Sequence, residues 1–400
     1  MPRDTTGAPG ATGSSGVTGV PGENGGDHGD GRDDPRPSPG PGPAEEPVRG
    51  PGRRPRRRTR WIVTAVAVCL CLVAGLAVAE IVHRREAAAA CAPDSLLVPP
   101  CGVWWGAYVP AGRSGEAAAV RGLESRIGRR LDVVYSYHDM STSDDGQLIT
   151  SDERALGADR ILFVDWSSAV WSPAPGEPAQ LKWSDIAAGR YDARIIDPQI
   201  ERLKAYGRPV LFTFDQEADT LVGQAGTAAE YVAAYRHLYQ RFQALGATDA
   251  IWVWTVTGYL GGRNASVMRQ LYPGSAYVRW LAYDPYNYYT CKSVPTWSTF
   301  AQTVRPGYDW MRAHISASKP IMLAEYGTAA DPADPAAQRA WYAGIPAALR
   351  TMPGIKAVVQ WDSAIRGPNC DLGVDSPQAL AGFTAAGRDK LFSQRVPKGD

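Results

Sequence analysis

The chain has 400 residues, room for two average domains or for one large domain with appendages. Its 42 Lys and Arg against 41 Asp and Glu leave a net charge of +1, which does not suggest a wholesale nucleic-acid binder. Residues 1–52 hold 14 Gly and 10 Pro but only four large apolar residues (Met1, Val17, Val20, Val48), so they cannot bury a core, and without a sustained Gly period of three they are not collagen.

A disordered, cytoplasmic Gly/Pro-rich tail is therefore expected over 1–60. It ends in Arg53, Arg54, Arg56, Arg57, Arg58 and Arg60. Residues 61–79 carry no charge, close to the ~20 residues a helix needs to cross a bilayer. Arginines before the span and few charges after it predict an inside N-terminus and an extracellular C-terminal part, anchored over 61–83. Cleavage after Ala77-Val78-Ala79 as a secretory signal is the alternative. Residues 84–101 read as a linker. Cys69 and Cys71 fall inside the span, while Cys91, Cys101, Cys291 and Cys370 fall in the exported part. In an oxidising compartment these four suggest two disulfides, with Cys91–Cys101 as the local pairing and Cys291–Cys370 as the remainder. Zinc fits worse, because there is no C-x2-C spacing and His is scarce.

From residue 102 to 395 short apolar runs alternate with helical stretches. The runs are Gly102–Val109, Leu131–Tyr137, Ile161–Trp166, Pro209–Asp215, Ala250–Val256, Val278–Asp284, Pro320–Glu325 and Ile355–Asp362. Most are near-continuous, as parallel strands buried on both faces are. Helices are expected over Glu116–Arg129, Ala193–Tyr206, Thr227–Leu245, Trp297–Ile315, Pro335–Arg350 and Gln378–Phe392, the third opened by a Thr227/Glu230 capping box. Eight such repeats in about 300 residues predict an α/β fold, a (β/α)8 TIM barrel. An open doubly wound sheet would usually show a Gly-rich turn after its first strand, and here that turn reads Val109-Pro110-Ala111-Gly112-Arg113.

In such barrels chemistry sits at the C-terminal ends of the strands. Those ends carry Trp105 and Tyr108, Tyr137-His138-Asp139, Asp165-Trp166, Asp215 to Asp219, Asp284 to Tyr289, Glu325-Tyr326 and Trp361-Asp362. Paired carboxylates among aromatic rings suit glycoside hydrolysis. Glu217 and Glu325 are the pair chosen, because each follows a rigid apolar strand. His138 is expected to hydrogen-bond in the cleft, Trp166 and Trp361 to touch sugar, and Asp284 to support the sugar site.

Glutamates at the ends of the fourth and seventh strands resemble those of the retaining (β/α)8 glycoside hydrolases. The segments Phe212-Thr-Phe-Asp-Gln-Glu-Ala-Asp219, Ile251-Trp-Val-Trp-Thr255, Tyr277-Val-Arg-Trp-Leu-Ala-Tyr-Asp-Pro-Tyr-Asn287 and Pro320-Ile-Met-Leu-Ala-Glu-Tyr-Gly327 resemble glycoside hydrolase family 26, the β-mannanase family. The resemblance implies Glu217 as acid/base, Glu325 as nucleophile, Tyr286 beside the nucleophile and Trp361 in the sugar site. Where that family has His before the acid/base and Asn two residues after it, this chain has Gln216 and Asp219. Gln216 can still hydrogen-bond a hydroxyl. The expectation is a monomeric, membrane-anchored enzyme acting on a β-1,4-linked polysaccharide, most simply mannan, with no cofactor or metal and no nucleic-acid partner. The competing reading is a barrel without turnover that binds or helps assemble a polysaccharide.

Overall fold

The computed structural model describes residues 56–292, 296–365 and 370–397, in two compact units divided after His83. A 35-residue helix, Arg56–Ala90, carries the first. Its Trp61, Ile62, Val66, Leu70, Leu76 and Val78 are exposed. Among the described residues no helix is long and apolar enough to cross a membrane. The side chains at 63–65, 67 and 71, inside the uncharged run, lie outside the description, as does the tail over 1–55.

The second unit is a closed barrel of eight parallel strands. They are β1 (Trp104–Tyr108), β2 (Val133–Asp139), β3 (Ile161–Ser167), β4 (Val210–Phe214), β5 (Ala250–Val256), β6 (Trp280–Tyr283), β7 (Ile321–Leu323) and β8 (Ile355–Trp361). Each pairs with its neighbours in sequence, and β1 closes the ring on β8 with Trp104 opposite Ala357 and Tyr108 opposite Trp361. All eight expected runs are strands, with no end shifted by more than two residues.

The helices follow the same outline. Ala228–Leu245 opens on the expected capping box, with the Glu230 N–H on the Thr227 hydroxyl at 3.3 Å, and stops at Gly246 with φ 78°. The stretch expected as one helix from Ala193 is a π-helical turn, Asp192–Ile196, followed by an α-helix, Asp197–Lys204. Here the Ile196 N–H reaches back five residues to the Tyr191 carbonyl, just ahead of Pro198, which has no N–H to give.

Successive strand residues face opposite sides, so two cores form. Inside the barrel lie Trp104, Tyr135, Phe163, Leu211, Val253, Trp280, Met322 and Val359. Between barrel and helices lie Trp105, Val134, Trp166, Phe212, Trp252, Trp254 and Leu323. Burying one such large apolar side chain contributes roughly 1.5–3 kcal/mol. Gly106 falls at an inward position between Trp104 and Tyr108, and a Cβ there would stand 2.7 Å from the Val133 carbonyl oxygen.

The segment ahead of β1 extends the domain. Leu96, Leu97 and Val98 pack against the inner core, and the indoles of Trp104 and Trp280 donate to the carbonyls of Leu97 (2.6 Å) and Leu96 (2.8 Å). Asp94 Oδ1 holds this turn by accepting the N–H groups of Leu96 and Val98, both at 2.9 Å. Residues read as linker thus stopper the barrel, and the Cys91–Cys101 disulfide closes the segment on itself.

Candidate active site

The period of two decides which strand-end residues reach the barrel mouth. On β2 it turns Tyr135 and Tyr137 inward and His138 outward; on β3 it turns Asp165 inward and Trp166 outward.

Glu325 follows β7 and is 7% exposed. The Tyr137 hydroxyl donates to its Oε1 at 2.5 Å and the Tyr286 hydroxyl to its Oε2 at 2.6 Å. Gln216 Nε2 approaches Oε1 at 3.4 Å. From behind, Asp284 Oδ1 accepts the Glu325 N–H at 3.0 Å, and Asp165 Oδ1 accepts the Gln216 N–H at 3.0 Å. Burial pushes both of these aspartates well above the usual carboxylate range, and neighbouring carboxylates push them further.

Glu217 leaves β4 through a strained turn. Asp215 and Glu217 adopt left-handed backbone with φ of 47° and 53°, which costs roughly 1–2 kcal/mol for each non-glycine residue. Asp219 holds the turn from its far side. Its Oδ1 accepts the Thr257 N–H at 2.9 Å, and its Oδ2 accepts Asn264 Nδ2 at 2.8 Å together with the Thr257 hydroxyl. The Asp219 departure thereby ties the loop after β5 to the turn that carries Glu217. It also occupies the Asn264 amide of the Asn-Ala-Ser sequon.

The two glutamates differ in their surroundings. Among the described residues no donor reaches the Glu217 carboxyl. Burial, then Glu325 and Asp219, push it up to about 8, and Lys292 pulls the other way. Burial raises Glu325 too, but its two phenol donors favour the ionised form. The proton is favoured on Glu217, whose carboxyl no donor reaches among the described residues, over Glu325, which accepts from two phenols.

Aromatic rings frame the mouth. Tyr108 meets Tyr137 edge-on at 4.7 Å and lies near-parallel to Trp361 at 6.2 Å. Trp361, half-buried, also meets Tyr286 edge-on at 6.2 Å. Beside Glu217 opens a cavity of about 740 Å³ lined also by Asp284, Tyr286, Asn287, Tyr288 and Lys292. The Cys291–Cys370 disulfide pins the loop that carries Lys292. Both expected disulfides are therefore present.

The structure brings together Glu217, Glu325, Gln216, Tyr286, Trp361 and Asp284. Two other candidates lie elsewhere. His138 is buried behind β2, where its Nε2 pairs with Glu153 Oε1 at 2.7 Å and its Nδ1 faces the Asp145 carbonyl at 3.3 Å. Trp166 is fully buried between barrel and helices, donates to the Asp139 carbonyl at 3.0 Å and packs against Phe212. Both sit one position off the inward register. Their inward neighbours, Tyr137 and Asp165, are the residues that sequence reasoning passed over; the alternation Val133, Tyr135, Tyr137 was the available signal. Trp105 is turned outward for the same reason, packed against Phe383 and Phe392.

No family model matches the chain. Endoglucanase H of Acetivibrio thermocellus is 30% identical over 233 residues, 56% of this chain. The chain spans about a quarter of that relative's length, 24%. Among solved structures, a ruminal GH26 endo-β-1,4-mannanase superposes with a TM-score of 0.52 at 16% identity, covering 75% of this chain and 66% of that one. The GH26 β-mannanase BoMan26A of Bacteroides ovatus gives 0.52 at 14% identity, covering 74% and 91%. Similarity at this identity is similarity of fold, and it agrees with the segments around β4 to β7: the chain resembles the glycoside hydrolase family 26 β-mannanases and has their kind of barrel.

Proposed function

We propose that the barrel is a retaining glycoside hydrolase of a β-1,4-linked polysaccharide, most simply mannan. The observation that carries this reading is the unequal treatment of two carboxyls at one mouth. Glu325, charged and held by Tyr137 and Tyr286, attacks the anomeric carbon. Glu217, protonated, gives its proton to the leaving oxygen and afterwards, as a carboxylate, takes one from the incoming water. Gln216 keeps a donor toward Glu325 that does not titrate near neutral pH. The substrate class is supported by what the similar proteins act on, mannan for the barrel relatives. Retention is tested by proton NMR of the first-formed product. A β-configured new reducing end supports the double displacement, and an α-configured one overturns it.

The pH dependence follows from the same pair. The proton on Glu217 is required in the free enzyme, so kcat/KM should fall as pH rises through about 8. Lys292 draws that value down, so Lys292→Met should move the alkaline limb to higher pH. A limb that stays in place, or moves down, removes Glu217 from the acid role.

A binding or assembly protein remains the second reading, favoured by Gln216 where related sites have His. A panel of polysaccharides assayed for both reducing ends and binding separates the two.

We further propose that residues 61–83 anchor the barrel to the membrane with the N-terminus inside. The uncharged run 61–79 and the arginines before it support this, as do apolar side chains exposed along the helix. Protease added to intact cells should remove a barrel epitope and spare an N-terminal tag. Release of all the protein as a soluble form beginning at Glu80 would show a cleaved signal instead.

A further inference from the structure

The cavity beside Glu217 carries a charge that the hydrolytic step does not need. Lys292 is exposed, and it is the one basic side chain lining that cavity among the described residues. None of the described ion pairs includes it. Its Nζ instead stands 3.6 Å from the centre of the Tyr288 ring, so an aromatic face positions the ammonium without neutralising it. The turn Tyr289–Lys292 is fixed in place by the Cys291–Cys370 bond.

The cavity touches Glu217, Asp284 and Tyr286, while Glu325 is not part of its wall. If Glu217 protonates the leaving oxygen, this side of the cleft holds the leaving portion of the substrate; the inference rests on the hydrolase reading in that respect. The acidic groups of the wall do not cancel the lysine. The Asp219 carboxylate is engaged by Thr257 and Asn264 rather than by the lysine. Burial pushes Glu217 and Asp284 up, toward their uncharged forms, and Asp284 Oδ2 is buried with no partner among the described residues. Lys292 is thus left without an ion-pair partner among the described residues, beside hydrogen-bonding groups and the rings of Tyr259 and Tyr288.

We propose that the leaving-group side of the cleft takes a sugar bearing a single carboxylate, such as a uronic acid unit, and that Lys292 pairs with that carboxylate. One ammonium balances one negative charge. A phosphate monoester dianion would bring a second charge, with no second cation lining the cavity among the described residues.

The test compares a uronate-bearing β-1,4-glycan with the same polymer after its carboxyls are reduced to alcohols, using the full-length protein. The wild type should cleave the acidic form with a kcat/KM about fivefold higher, the scale of one partly exposed ion pair. High salt should shrink that ratio toward one. Lys292→Met should bring the ratio to about one, and Lys292→Arg should keep most of it. Equal cleavage of both polymers by the wild type overturns the proposal while leaving the hydrolase reading intact, and it does so without relying on any variant's folding. Faster cleavage of a phosphate-substituted polymer than of the uronate one also overturns it. Calorimetric titration of Glu325→Gln with acidic and carboxyl-reduced oligosaccharides gives an independent arm. Tighter binding of the acidic form with no turnover by the wild type supports the Lys292 site and removes the hydrolase reading. Equal binding overturns the site.

Discussion

Glu325→Ala should lose essentially all turnover on any glycan, a drop of roughly 10⁴-fold or more, because it removes the attacking atom itself. The variant should fold, since Tyr137 and Tyr286 line an accessible mouth where water can replace their acceptor. Glu217→Ala should behave differently. On polysaccharide it should lose about 10²–10⁴-fold, the usual worth of a positioned acid/base. On an aryl glycoside whose leaving group needs no proton, attack by Glu325 should continue and a glycosyl-enzyme should accumulate. Added azide should then raise turnover and give a glycosyl azide, because a small anion replaces the water that Glu217 would have activated. Steady-state kinetics with and without azide, with mass spectrometry of the trapped protein, reads both results. Wild-type activity in either variant would remove that residue from the chemistry. A β-configured glycosyl azide from Glu325→Ala instead of Glu217→Ala would exchange their roles.

The second large effect is on stability. Cys291 and Cys370 are 79 residues apart and joined. Closing a loop of that length removes chain entropy from the unfolded state, about 4 kcal/mol in that model. The double variant Cys291→Ala/Cys370→Ala should therefore unfold on the order of 10 °C lower in a thermal scan. It should also lose cleft function while still folded, because the bond ends the loop that presents Tyr286, Tyr288 and Lys292. An unchanged midpoint would mean that packing alone holds the loop. The Cys91–Cys101 pair closes only 10 residues, and its removal should cost less.

The reach of the sequence is clearest where single residues are compared. Glu217 and Glu325 were legible because each terminates an apolar strand, and a strand end in this fold is a place of known orientation. Tyr286 and Trp361 came from the resemblance around β6 and from the position of β8. His138 and Trp166 were misplaced because type and position were weighed without facing. A His at a strand end looks functional until the inward set Val133, Tyr135, Tyr137 is traced and puts it on the helix side. There it makes a buried pair with Glu153, 15 residues on. Lys292 carried no local signal at all. Its proximity to Glu217 depends on the path of the loop after β6 and on a disulfide to the loop after β8.

From the sequence alone follow the eight strands, their parallel order, the mouth at which chemistry belongs, the carboxyl pair and both cysteine pairings. Each is set by local pattern, whether hydrophobic runs, turn residues or the even count of exported cysteines, and short-range sterics and solvent exclusion act on such patterns directly. Only the tertiary structure decided which face each strand-end residue takes, that residues 94–98 stopper the barrel, and that among the described residues Glu217 stands without a donor while Glu325 has two. Those features arise from contacts between residues far apart in the chain: Tyr137 with Glu325 across 188 positions, Trp280 with Leu96 across 184. Hydrogen bonding and burial at a site depend on which distant groups closure of the barrel brings within about 3 Å, and no local pattern encodes that distance.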